Sequence, residues 1–127
     1  MASPEVSFLV RGLAIGKPRP RVTARGAFMP TRYRDYQREV KACAIEAFGL
    51  HLESGGRWDV EAPMVLDCTF VFTDHRRRDI DNLLGGVMDS LLSVAYRDDS
   101  QVVEGTARKF VLGTEPSITV RLRLLGE

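Results

Sequence analysis

Five aspartates, Asp79, Asp81, Asp89, Asp98 and Asp99, fall within twenty-one residues of a 127-residue chain whose other twelve acids are scattered over the remainder. Carboxylates crowded in this way repel one another and raise each other's pKa, so the stretch requires a compensating cation. Two compensators are open: the run Arg76, Arg77 and Arg78 that directly precedes the cluster, or a bound divalent metal. Asp79 and Asp81 are two apart at an expected strand-to-helix transition, where an extended backbone sends both side chains to one side. Asp98 and Asp99 follow one helix later. If the strand after them runs beside the strand before the helix, a carboxylate from that turn can meet the first pair. Magnesium asks for such an incomplete cage, with a few carboxylates, several waters and open positions for phosphate oxygens. Taken singly, each pair has a plainer reading, since Asp before a helix commonly caps it and paired Asp is frequent in turns.

The charge distribution supplies the second half of the argument. Residues 1–41 carry nine Lys/Arg against three Asp/Glu, whereas 42–127 carry nine against fourteen, although the whole chain is only +1. In GKPRPR the two prolines stiffen the backbone, so Lys17, Arg19 and Arg21 stand along an extended, polyproline-like segment. Arg34, Arg38 and Lys41 recur at i, i+4, i+7 and form a basic stripe on one face of a helix. Together they fit a polyanion held through its phosphates, with a solvated basic arm as the plainer alternative. Arg76, Arg77 and Arg78 are assigned to the same role.

The elements that position these groups follow from periodicity. Residues 6–15 alternate weakly as a strand, and 23–28 with Gly26 read as a turn or short hairpin. Tyr33, Tyr36, Val40, Ala44, Ala47 and Phe48 mark a helix over 31–50, with Thr31 as its expected N-cap. Residues 51–63 read as a polar loop anchored by Trp58, and Met64, Leu66, Cys68, Phe70 and Phe72 give the core face of a strand over 64–73. Asp81 or Asn82 is expected to cap a second helix that buries Leu84, Val87, Met88, Leu91, Leu92 and Ala95 and stops after Tyr96. Its other face, Asn82, Gly85, Gly86, Asp89 and Ser93, is small and polar. Two interior glycines cost about 1 kcal/mol each, so they point to close approach of a partner, a nucleic-acid backbone or the core itself. Strands over 102–112 and 117–125 are separated by GTEP, a hairpin signal. The expected fold is an α/β (α+β) single domain over 1–127: a mixed sheet with two helices, in the order β-α-β-α-β-β.

Several classes are excluded on composition. No apolar run approaches the roughly 20 residues of a membrane span, and MASPEVSF lacks a signal-peptide layout, so a cytoplasmic protein is expected. Cys43 and Cys68 sit in apolar patterns as small core residues, and His51 and His75 show no zinc spacing with them.

GKPRPR, the helix bearing Tyr33 and Tyr36, RRRDIDN and DSLLSVAYRDDSQVV together resemble the RusA family of Holliday junction resolvases, phage- and prophage-associated endonucleases. The resemblance runs in order from about Gly16 to Lys109. It implies a homodimer that cleaves four-way DNA junctions with Mg²⁺, or with Mn²⁺ in its place. It also implies Asp79, Asp81 and Asp99 as catalytic metal ligands, with Asp89, Asp98 and Asn82 in supporting parts. One departure stands out, because the family pattern D-x-D-N-x-x-K ends on a lysine and this chain has Gly85 there. Arg78, Arg97 and Lys109 are the cations considered to replace it in space, and a catalytically weak junction-binding protein is the alternative reading.

Overall fold

The computed structural model describes residues 4–125. Its framework is a four-stranded sheet in the order β1-β6-β4-β5, formed by β1 (Glu5–Arg11), β4 (Met64–Phe72), β5 (Val102–Val111) and β6 (Ser117–Leu124). Strand β4 lies between β5, which it pairs in parallel, and β6, which it pairs antiparallel. Strict alternation makes this possible: Met64, Leu66, Cys68, Phe70 and Phe72 of β4 and Ile118, Val120, Leu122 and Leu124 of β6 are all buried on one face. On the other face Arg108 binds Asp67, and Arg121 binds Glu5.

Both helices cover the apolar face. Helix α1 (Thr31–Glu53) buries Tyr33, Tyr36, Val40, Ala44 and Phe48, successive residues three or four apart, and packs against β1 and α2. It begins one residue differently from expectation, with Pro30 in the N-cap position and Thr31 inside the first turn, so no side chain caps it. It also runs to Glu53 rather than Leu50, and the Ser54 hydroxyl closes it by donating to the His51 carbonyl. Between β1 and α1 a small hairpin is formed by β2 (Arg21–Thr23) and β3 (Gly26–Phe28).

The connection β4–α2–β5 is a parallel crossover built on α2 (Ile80–Leu91). Helix α2 lies close over β5, where a Cβ on Gly105 would be 3.3 Å from Leu84 Cδ2. Its buried stripe is Leu83, Gly86, Val87, Ser90 and Leu91, turned from the expected one, so Leu92 is exposed and Leu84 and Met88 are only part-buried. Ser90 can lie inside because its hydroxyl donates to the Gly86 carbonyl at 2.8 Å.

Three expectations are corrected here. The helix starts two or three positions earlier than a cap at Asp81 or Asn82 requires, with Asp79 as N-cap residue. It ends at Leu91 instead of Tyr96, because Ser93 adopts a left-handed φ of 70° and its N–H turns to the Tyr96 carbonyl. GTEP does not close a hairpin: β5 and β6 lie on opposite sides of β4, and the loop crosses the end of that strand.

Candidate active site

The first group of functional residues is held by the loop after β4. Asp74 accepts from the Arg76 backbone N–H at 3.0 Å and takes Arg78 on both carboxylate oxygens at 2.8 and 3.4 Å. The hydrogen bond from Arg78, then that from the Arg76 backbone, lowers the Asp74 pKa to about 2. The Arg78 guanidinium lies 4.1 Å over the Phe72 ring, and Lys109 Nζ donates to the Arg78 carbonyl at 2.6 Å. The arginine run is therefore divided in role. Arg78, with 15% of its side chain exposed, is spent inside the loop, while Arg77, 93% exposed, forms a loose ion pair at the surface with Nε 3.7 Å from Asp79 Oδ1.

Asp79 uses its carbonyl, not its carboxylate, to start α2, by accepting from the Leu83 N–H at 3.1 Å. Its side chain is thus available at the positive end of the helix, as is that of Asp81 in the first turn, which makes no hydrogen bond or ion pair among the described residues.

The second group lies at the other end of the helix. Buried Tyr96 donates to the Met88 carbonyl, and Trp58 Nε1 donates to the Ala95 carbonyl at 2.8 Å, which pins the turn after α2. Asp98 then caps the 3₁₀ turn Asp99–Gln101, accepting from the Ser100 N–H at 2.9 Å, while Gln101 Oε1 accepts from the Asp98 N–H at 3.0 Å. Hydrogen bonds from Ser100 lower the Asp98 pKa. Gln101 also donates to the carbonyls of Val60 and Ala62. Asp98 is committed to its own backbone, and Asp99 is the member of the pair left to face outward.

Asp89 connects the two ends. Its Oδ2 is 3.0 Å from Lys17 Nζ, and it lines two depressions. One is a groove between α1 and α2 with Arg34, Gln37, Arg38, Lys41 and Ser90, and the other holds Arg97, Asp98 and Asp99. A third depression, lined by Gly16, Lys17, Arg77, Asp79 and Asn82, lies at the helix start. Beneath Asp89, burial and then that carboxylate push the Tyr33 hydroxyl up to about 12. This hydroxyl makes no hydrogen bond within the usual limits of length and angle, although Asp89 is close enough to act on its pKa.

The structure thus gathers Asp89, Asp98 and Asp99 at one end of α2, and Asp79, Asp81 and Asn82 at the other. A twelve-residue helix spans about 18 Å. Among the described residues no three His, Cys, Asp or Glu side chains stand close enough to hold a metal ion. The donor chemistry, exposed carboxylates only, suits a hard cation such as Mg²⁺, but one chain presents it in two parts.

The stripe Arg34, Arg38 and Lys41 does line one groove, whereas Arg19 and Arg21 are exposed on the segment and hairpin that precede α1. Two groups escaped the sequence reading. Gln37 sits on the same helical face as the stripe, and the three- and four-residue spacing would have included it. The Lys17–Asp89 pair joins residues far apart in the chain, and only the open space over Gly85 hinted that a side chain comes from elsewhere. The three cations considered for that space are all engaged in other contacts: Arg78 with Asp74, Arg97 with Glu61 at 3.3 Å, and Lys109 with the Arg78 carbonyl.

Residues 12–123, nearly all of the described chain, match the family model for endodeoxyribonuclease RusA. The chain belongs to the RusA family. A comparison with individually curated proteins gives no match. RusA membership identifies a nuclease type that acts within DNA strands. No helix among the described residues is long and apolar enough to cross a membrane.

Proposed function

We propose that this protein is a homodimeric, Mg²⁺-dependent endonuclease that resolves four-way DNA junctions, with Asp79, Asp81 and Asp99 as its catalytic carboxylates. The observation that carries this reading is the meeting, at Asp89, of a basic groove and a depression lined by Asp98 and Asp99. Phosphates bind to Arg34, Arg38 and Lys41, which neutralise charge without reading bases. A DNA backbone seated there passes directly over the face of α2 that carries the carboxylates.

The two-part arrangement of the acids supports the homodimer. A two-fold axis across α2 sets the Asp79–Asp81 end of one copy toward the Asp98–Asp99 end of the other, so each copy supplies what the other lacks. A four-way junction is itself two-fold, and its resolution requires two symmetric cuts. Mg²⁺, when bound, activates a water and stabilises the leaving 3′ oxygen. The protein's own contribution is to set the acids at a helix N-terminus and a capped turn, and to fix the phosphate beside them.

Incubation of the purified protein with an end-labelled synthetic four-way junction, with and without Mg²⁺, tests the proposal. Paired symmetric nicks that require the metal are expected. Tight binding without product at any Mg²⁺ concentration would instead establish the junction-binding reading.

A further inference from the structure

Helix α2 carries no cation on its polar face, from Asn82 to Asp89, yet one is delivered there by another part of the chain. The Lys17 backbone N–H donates to the Asn82 carbonyl at 3.0 Å, which docks the N-terminal segment onto the first turn of α2. Gly16 fits against Asn82, where an added Cβ would lie 3.4 Å from Asn82 Cβ. From that anchor the Lys17 stem runs along the helix across Gly85, its Cδ lying 3.8 Å from where a Cβ of residue 85 would be. Its ammonium ends 3.0 Å from Asp89, with 43% of the side chain still exposed. The same residue lines the depression that holds Asp79 and Asn82. Lys17 is thus tethered at its backbone, guided along its stem and held at its tip, while the absence of a side chain at residue 85 leaves its path clear.

From this geometry we infer that Lys17 is a catalytic residue, the cation that contacts the scissile phosphate from the position where α2 itself has Gly85. The assignment rests on the nuclease reading above and goes beyond phosphate anchoring. An ammonium offers three donors, and Asp89 occupies one, so two remain for non-bridging phosphate oxygens. A point charge held beside the carboxylates meets negative charge as it develops on the phosphoryl oxygens, where a preorganised donor acts most strongly. Asp89 is then the positioning residue, which keeps the ammonium on the reactive face before substrate arrives. Arg34, Arg38 and Lys41 lie across the groove on α1 and bind the flanking backbone.

The test compares single-turnover cleavage of a labelled four-way junction, junction affinity measured with Ca²⁺ in place of Mg²⁺, and melting temperature. The proteins are wild type, Lys17→Met, Gly85→Lys, and Lys17→Met combined with Gly85→Lys. Lys17→Met keeps the apolar stem over Gly85 and removes only the charge. It is expected to cut about a hundredfold more slowly or worse, with affinity changed by less than about threefold, as befits one lost phosphate contact among several. Gly85→Lys alone is expected to gain nothing, because the cation is already present, whereas in the double variant it restores at least about a tenth of the lost rate, a lysine there reaching the same space. Lys17→Met cutting at the wild-type rate overturns the assignment and leaves the nuclease reading intact. So does a rate that falls only in proportion to affinity, or a well-folded double variant that shows no recovery. A wild-type protein that cuts no branched DNA overturns both.

Discussion

A Cβ placed on Gly86 would stand 3.3 Å from the carbonyl oxygen of Ile15, whereas on neighbouring Gly85 it would meet nothing nearer than the flexible Lys17 stem at 3.8 Å. The two glycines therefore serve different ends. Gly86 lets the segment before Lys17 and the Tyr33 ring close onto α2, with Tyr33 Oη only 3.4 Å from the same Cβ position. Gly86→Ala is expected to lower the melting temperature, because backbone must move to admit the methyl group. Gly85→Ala is expected to raise stability by up to about 1 kcal/mol, the helix-propensity gain. Thermal melts of the two variants check this, and equal shifts of the same sign would contradict it.

Asp98 and Asp99 are adjacent and separable. Asp98→Ala removes the cap of the 3₁₀ turn and is expected to lower stability measurably. Asp99→Asn, like Asp79→Asn and Asp81→Asn, is expected to leave the melting temperature unchanged, spare junction binding and abolish Mg²⁺-dependent cleavage. Urea titrations paired with cleavage assays distinguish the two acids. Full cleavage by Asp99→Asn would remove it from the catalytic set.

The groove residues are expected to act through charge alone. Changing both Arg34 and Arg38 to Gln should weaken junction binding and flatten the slope of log affinity against log salt by roughly two units. Titrations at four or five salt concentrations measure the slope directly. An unchanged slope would make the stripe solvated charge without a bound partner.

Asp74 has its pKa depressed in the folded protein, so its bond to Arg78 adds stability above the ordinary carboxylate range and loses it as pH falls. The melting-temperature difference between wild type and Asp74→Asn is expected to hold steady above about pH 5 and to shrink between about pH 4 and pH 2. Melts of both proteins across that range check the sign. A difference that grows on acidification would mean the loop is held by something other than this pair.

Local pattern and long-range arrangement were not equally visible in the chain. Alternation in 64–72 and 117–124, and the Tyr33-to-Phe48 spacing, announce their elements because one face of each is buried and the period records it. The end of α2 was hidden, since Leu92, Val94 and Ala95 continue an apolar pattern and nothing in the type of Ser93 signals a left-handed φ. GTEP is a sound turn sequence, but whether a turn closes a hairpin depends on which strand takes the space beside it, and β4 took it. The aspartates were conspicuous by spacing. Their division between two ends of a helix, and the arrival of Lys17 beside Asp89, are tertiary facts that spacing does not encode.

Among the described residues strand β1 pairs only with β6, residue by residue from Glu5 opposite Arg123 to Arg11 opposite Ser117. On the ribosome, β1 emerges before its partner and must wait until residues 117–124 have left the exit tunnel. Until then Val6 and Val10 have no sheet to join, and the segment that brings Lys17 to α2 has no fixed origin. A nascent or prematurely terminated chain therefore carries all the aspartates and the basic helix without the assembled face. Synthesis itself delays the docking of that segment on α2 until the last strand of the sheet is made.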